Sequence, residues 1–355
     1  VILCGAMNTL SKHLRAGKEL SEREVHVAVE MLLDESICHE KKADFLRDLT
    51  KKGETIAEIT YFVQACLERA VDPEINKIAD QFEGPTIDVC GTGGDKLDLF
   101  NVSTTSMFVI AAGGAVVVKH GNRGITSKSG GADVLEALGV KLDISTEKFR
   151  ECLTTAGVGF MFAPAYHPAF KVIAPVRKIL ANEGTLTIFN LIGPLLNPAN
   201  PDCQLVGICS ETHAQAYADI LQRLGRDSAW VVLGKTAEGA TVDELSLMGE
   251  SHIYKSGAYQ DLVDEVVLPT DVGLDQCEVF DLVGGDAMLN ARILEDILSG
   301  KETGPKRQMV LLNAGAGLAC AGLVDDLAAG VKKAAELIDE GLALERLRKL
   351  QEVAC

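Results

Sequence analysis

Apolar positions repeat in two different rhythms along this chain. From residue 8 to 80 the rhythm is helical. Ser21-Glu-Arg-Glu24 has the spacing of a capping box, in which the Ser21 hydroxyl takes the Glu24 amide and Glu24 reaches back. Val25, Ala28, Val29 and Leu32 then fall on one helical face. Gly53 reads as the end of another helix, and Ile56, Ile59, Phe62, Val63, Cys66 and Leu67 stripe the next. No strand signal appears here, so a helical subdomain is predicted.

After Gly84-Pro85 the rhythm changes to short apolar runs: Thr86–Cys90, Ala115–Val118, Gly159–Phe162, Gln204–Cys209 and Ala229–Leu233. Helical patterns alternate with them at Ser103–Ala112, Gly131–Leu138 and Thr212–Leu224, and residues 310–350 read as closing helices. Continuously apolar strands alternating with helices predict a mostly parallel sheet covered on both faces. Ligands of such sheets bind beyond the carboxyl ends of the strands. The longest apolar run, Met107–Val118, falls far short of the ~20 residues that cross a bilayer. Its Gly113-Gly114 reads as a helix end followed by a strand. No internal repeat and no low-complexity segment is evident.

Three polar clusters sit at the predicted strand ends: DVCGTGGD (88–95), NVST (101–104) and KHGNRGITSKSG (119–130). Glycines in the first let backbone amides approach an anion, although a tight turn would look the same. Asp95 suits an anion site only if it receives a hydroxyl or a metal. In the second, Asn101 or Ser103 either caps a helix or, with the helix amides, binds an anion. In the third, Lys119, His120, Arg123 and Lys128 follow a buried strand and are interleaved with small polar residues, unlike an ordinary solvated charge run. Neither G-x-G-x-x-G nor G-x-x-x-x-G-K-[ST] is present.

Charge sharpens this reading. The chain of 355 residues carries a formal net charge of −17, which disfavours nucleic acid and anionic membranes as partners. A local polyanion site therefore stands against the field of the rest. Asp243-Glu244, in TVDELS, supplies two adjacent carboxylates on a loop after a strand. Alone they would be solvated acids; beside a polyanion site they suit Mg²⁺, which shares oxygen ligands with substrate phosphates. The ten cysteines are scattered without a CxxC pair, so zinc spacing is absent and free thiols in a reducing cytoplasm are expected. The leading VILCGA is too short for a signal core, and Met7 is the expected natural start.

GTGGD, NVST, KHGNR…SKSG-x-ADVLEALG, TIFNLIGPLLNP (187–198), DELS and GGDA (284–287) occur here in one order over nearly the whole chain. In this the chain resembles the anthranilate phosphoribosyltransferase family. The resemblance implies transfer of a phosphoribosyl group from phosphoribosyl pyrophosphate (PRPP) to anthranilate, a step of tryptophan biosynthesis. It also implies a small helical domain hinged to a large α/β domain, and a cytoplasmic homodimer formed through the helical part. The expected helical domain is 7–82 plus about 170–190; the expected α/β domain is 83–169 with 191–355. Residue by residue, Gly91, Thr92, Gly93, Gly94, Asp95, Asn101, Val102, Ser103, Thr104, Lys119 and Gly131 would bind PRPP. Ser103, Asp243 and Glu244 would hold Mg²⁺. Gly91, His120, Asn122, His167, Arg177 and Gly193 would line the anthranilate site, with Arg177 forking onto the carboxylate. No covalent nucleophile or general base is implied.

Three departures from the family pattern stand out. Gly131 replaces a usual Ser, a loss that Ser127 or Ser129 would have to make good. The segment after Arg177 is about three residues longer than usual, with Leu186 where a second Arg often stands. Lys96-Leu-Asp-Leu99 is bulkier and more charged than the common loop. Two rivals remain: a nucleoside phosphorylase of the same fold, disfavoured by TIFNLIGPLLNP and DELS, and a non-catalytic nucleic-acid-binding paralogue, disfavoured by the net charge.

Overall fold

A computed structural model describes residues 2–124, 128–257 and 264–355. The chain divides into two compact units, residues up to Val71 with Pro164–Pro198, and Asp72–Ala163 with Ala199–Cys355. The expected break at 82/83 moves to 71/72. Residues 72–82 form only two 3-10 turns, and Arg150 binds Glu74 at 2.7 Å, tying them to the second unit. The returning segment is likewise longer than 170–190.

The first unit is helical: α1 (Ile2–Arg15), α2 (Glu22–Leu33), α3 (His39–Lys52) and α4 (Ile56–Leu67), joined by the helix Ala174–Asn182. The Ser21–Glu24 capping box forms, and Val25, Ala28, Val29 and Leu32 are all buried. Gly53 closes α3 with φ +87°. A second capping box, Thr55 with Glu58, starts α4. Glu58 is fully buried, receiving the amides of Leu20 and Thr55 at 2.9 Å and the Lys52 ammonium at 2.7 Å. That one carboxylate links α1–α2, α3 and α4.

The second unit is an α/β layer structure. Its strands are β1 (Thr86–Gly91), β2 (Val116–Gly121), β3 (Val158–Phe162), β4 (Cys203–Gly207), β5 (Ser228–Lys235), β6 (Thr241–Val242), β7 (Ser251–Gly257) and β8 (Glu265–Val267). The sheet runs β3-β2-β1-β4-β5-β7-β8, with β6 on β5. The first five strands are parallel; β6, β7 and β8 add antiparallel. The chain winds outward from β1 through β2 to β3, then returns to β1's other side as β4. β1 and β4 thus border the topological switch point, where the loops from neighbouring strands part and leave a crevice.

α5 (Val102–Ala112) is buried along most of its length, its Thr104, Thr105 and Ser106 included, as is the helix Pro305–Cys320 packed against it. Among the described residues no helix is long and apolar enough to cross a membrane. The described cysteines are free, and burial pushes the Cys66 thiol up to about 12.

Candidate active site

The Gly-rich loop leaves β1 at the switch point. Thr92 extends the β1–β4 ladder by donating its amide to Gly207 at 2.9 Å; Gly93 and Gly94 then turn with φ +72° and +102°. The Gly93 amide donates to Asp243 Oδ2 at 2.6 Å. Across the crevice, the Ser103 amide at the start of α5 donates to Glu244 Oε1 at 3.2 Å. Each acid thus has one oxygen committed to a backbone amide, one in the glycine loop after β1 and one in the first turn of α5.

Close packing places the acid pair. A Cβ on Gly207 would lie 1.6 Å from the Asp243 carbonyl oxygen, and one on Gly91 would lie 2.3 Å from Asp243 Oδ2. From below, the buried Asn313 receives the Leu245 amide at 2.9 Å and donates to the Leu245 carbonyl at 3.0 Å. Ser246 donates to the Lys235 carbonyl at 2.8 Å, fixing the other end of the DELS loop. Both carboxyls are recessed, and both are raised above the usual carboxylate range. Burial is the main cause; Asp95 then acts on Asp243, and Asp243 on Glu244, with Lys119 opposing the shift of Glu244. Asp95 is itself raised by burial and takes the Leu97 amide at 3.2 Å.

Lys119 is a strand residue, not a loop residue. β2 runs beyond the expected Ala115–Val118, so Lys119 and His120 are both buried at its end. The Lys119 ammonium donates to the Val89 carbonyl and to Ser103 Oγ at 3.1 Å, leaving one of its three N–H groups. The His120 amide donates to the buried Asp88 at 3.2 Å. Asn122 is exposed and receives the Arg123 amide at 2.8 Å. Arg123 is bound to Glu136 at 2.6 Å, and Lys128 to Asp98 at 3.0 Å, so these two cations are already paired.

Asn101 stands at the N-cap of α5 but makes no side-chain cap, contrary to that reading. Its carboxamide instead joins Ser129 and Asn290. Ser103 lies inside the helix, not at its cap. Val102 buries its side chain in the core, so it offers only backbone to a ligand. Thr104 is buried, and a Cβ on Gly131 would lie 2.7 Å from its Oγ1. A side chain at 131 would therefore crowd the Thr104 hydroxyl. Ser127, the other candidate to replace it, lies outside the described residues.

Three expected anthranilate residues, His167, Arg177 and Gly193, belong to the helical unit. His167 Nε2 donates to the Leu196 carbonyl at 2.8 Å, and burial lowers the ring's pKa against the opposing pull of that bond. It stacks on Phe170 at 5.1 Å, which meets Phe189 edge-on at 5.8 Å. The Arg177 guanidinium lies 6.0 Å from the Phe189 ring centre. Burial lowers its pKa, and no carboxylate among the described residues opposes that shift. Gly193 opens a 3-10 turn with open space on its Cβ side. Leu186 is 71% exposed, so its side chain points into solvent.

Sequence patterning missed Asn313, Gly207 and Asn290. The first two sit in apolar runs where only the close approach of the DELS loop demands them. Asn290 is a polar residue on the inner stripe of the helix Ala287–Leu298, a visible signal that was passed over.

The parallel sheet, its switch-point glycine loop and the facing acid pair describe a glycosyl-transfer enzyme that handles a phosphorylated sugar. Two family models agree: residues 83–344 match "Glycosyl transferase family, a/b domain" and residues 8–70 match "Glycosyl transferase family, helical bundle domain". The anthranilate phosphoribosyltransferase of Chloroflexus aggregans is 42% identical over 339 residues, 96% of each chain. That of a Geobacter species is 40% identical over 342 residues, 94% of each chain. The crystal structure of the Thermus thermophilus enzyme superposes with a TM-score of 0.86 at 36% identity, covering 97% of this chain and 99% of that one. The Saccharomyces cerevisiae enzyme, in complex with PRPP and Mg, gives 0.84 at 26% identity, covering 99% and 98%. The chain belongs to the anthranilate phosphoribosyltransferase family. It is a pentosyltransferase, and its reaction forms N-(5-phosphoribosyl)anthranilate and pyrophosphate from PRPP and anthranilate.

Proposed function

We propose that the crevice at the carboxyl ends of β1 and β4 binds PRPP with Mg²⁺, and that Arg177 receives the anthranilate carboxylate. The observation that carries the first part is the acid pair. Asp243 and Glu244 each keep one oxygen that takes no hydrogen bond from another described residue, in a recess where both ionised forms are costly. A divalent cation relieves that cost. Among the described residues no group of three or more His, Cys, Asp or Glu is placed to hold a metal alone. A Mg²⁺ ion that takes its remaining ligands from phosphates and water needs no such group. Asp243, Glu244 and the Ser103 hydroxyl would hold it, and bound there it neutralises charge on the departing pyrophosphate.

The protein groups act around that charge. Gly91, Thr92, Gly93, Gly94 and Asp95 border the ribose and pyrophosphate. Asn101, Ser103, Thr104, Lys119 and Gly131, with the backbone of Val102 at the α5 N-terminus, meet the phosphates. As the bond from ribose C1 to pyrophosphate breaks, negative charge grows on the leaving group, where these donors are fixed in advance. No covalent intermediate is required. On the acceptor side, a half-buried guanidinium beside Phe189, whose ring meets Phe170 and through it His167, offers an apolar aromatic wall and a two-pronged donor, the complement of an aromatic carboxylate. Gly193, in the same helical unit, is a further acceptor residue. Holding the amine towards C1 contributes by proximity. The protein acts in the cytoplasm as a homodimer assembled through its helical unit. The test is the fall of anthranilate fluorescence on adding PRPP, with Mg²⁺ and after its chelation. Mg²⁺-dependent consumption is expected; folded protein that consumes anthranilate equally well without the metal would contradict the reading.

A further inference from the structure

The geometry points to Asn290 as a positioning residue that sets the two phosphate-facing loops, at Asn101–Thr104 and at Ser129–Gly131, relative to each other. It rests on the phosphate reading of those loops given above. Asn290 lies on the helix Ala287–Leu298 and is 3% exposed. Its Oδ1 receives the Gly285 amide at 2.8 Å. That bond fixes which way the carboxamide faces, so Nδ2 turns towards Asn101 Oδ1 at 2.8 Å and Ser129 Oγ at 3.1 Å. The Gly285 carbonyl lies further off at 3.3 Å. Close packing of Gly284, where a Cβ would stand 2.5 Å from Asn290 Oδ1, holds the turn against the side chain.

Asn101 continues the chain of bonds. Its Oδ1 also receives Ser129 Oγ at 3.2 Å, and its Nδ2 donates to the Ser129 carbonyl at 3.2 Å. The Asn101 carbonyl takes the Thr105 amide at 3.0 Å and the Thr105 hydroxyl at 2.9 Å, which opens α5 just where Ser103 and Thr104 stand. Ser129 directly precedes Gly130 and Gly131, the start of α6 (Gly131–Ala137). One buried carboxamide therefore joins three segments distant in sequence, and two of them carry proposed PRPP groups. Asn290 touches no reacting atom in this scheme; it acts through Asn101 and Ser129.

An Asp at this position keeps the shape and the Gly285 bond but replaces the shared donor with an acceptor. It would then face Asn101 Oδ1 across 2.8 Å. Turning the Asn101 amide over would relieve that contact only by setting its oxygen against the Ser129 carbonyl. With that carboxyl ionised the network has no satisfied arrangement, so the two loops separate.

Steady-state kinetics with each substrate varied in turn tests this. Asn290→Asp should raise the KM for PRPP by about tenfold and change that for anthranilate by less than about twofold. Ser129→Ala, a milder cut in the same network, should raise the PRPP KM less, and should add little when combined with Asn290→Asp. Lys119→Ala reports separately on the phosphate site. If Lys119→Ala raises the PRPP KM while Asn290→Asp and Ser129→Ala do not, Asn290 has no such role and the site reading stands. If none of the three raises it, the site reading fails and takes the Asn290 role with it. Equal rises in both KM values, with loss of folded protein, would show a general structural role and overturn the inference.

Discussion

Gly207 and Asp243 are packed so closely that a single methyl group would part them. A Cβ on Gly207 would meet the Asp243 carbonyl oxygen at 1.6 Å and its carbonyl carbon at 2.3 Å. Both neighbours are backbone, so no side-chain rotation relieves the clash. Gly207→Ala should therefore displace the acid loop. We expect kcat/KM to fall by about a hundredfold or more, equivalent to about 2.7 kcal/mol of lost transition-state stabilisation. Activity assays on protein shown by circular dichroism to be folded check this; near-normal activity would mean that the position of Asp243 is unimportant.

Among the described residues Arg177 has no carboxylate partner, and it lies against Phe189. Arg177→Ala should raise the anthranilate KM by about ten- to a hundredfold, as expected for losing a charge-assisted bidentate contact, and leave the PRPP KM within about twofold. Arg177→Lys keeps the charge and loses the fork, so it should recover only part of the loss. Initial rates with each substrate varied separate these cases. A rise in the PRPP KM alone would place Arg177 elsewhere in the reaction.

The sequence revealed the first five strands and their mostly parallel sheet because each is a continuous apolar run buried on both faces. It did not reveal β7, an inner antiparallel strand in which buried and half-buried positions mix, as at Ile253 and His252, or β8, the three-residue strand at the sheet's edge. Lys119 and Asp243-Glu244 were legible because charge at a strand end is unusual in an acidic chain. Whether the Asn101 side chain caps α5 was not legible in the sequence, because its partners, Ser129 and Asn290, are 28 and 189 residues away. Local patterning carries no information on such pairings. The break after Val71 was likewise set by a long-range tie, Arg150 to Glu74, and not by the composition change at Gly84-Pro85.

Gly131 and Thr104 compete for one space, since a Cβ at 131 would stand 2.7 Å from Thr104 Oγ1. Gly131→Ser alone should crowd the Thr104 hydroxyl and raise the PRPP KM several-fold, roughly three- to tenfold. Thr104→Ala alone should also raise it, by removing a hydroxyl. The double variant exchanges one hydroxyl for the other and should bind PRPP better than either single variant. Strictly additive losses would refute the exchange.

Glu58 is the buried junction of the helical unit, and Lys52 beside it is nearly as buried. Glu58→Ala leaves the ammonium and two amides without their acceptor. Such a deletion should cost about 3–5 kcal/mol. Glu58→Gln keeps an oxygen for one amide and should cost less. Urea denaturation followed by circular dichroism gives both values; an unchanged midpoint for Glu58→Ala would show that the junction is dispensable.

The account turns on Asp243 and Glu244 acting together as the metal-side wall of the PRPP crevice. The most direct measurement is the Mg²⁺ activation curve of Asp243→Asn combined with Glu244→Gln, read by anthranilate fluorescence with PRPP in excess. Both substitutions keep an oxygen for the Gly93 and Ser103 amides, so the loops should stay in place. The predicted result is a loss of turnover of about a hundredfold or more, with half-activation shifted to higher Mg²⁺. Unchanged turnover with an unchanged Mg²⁺ curve would contradict it.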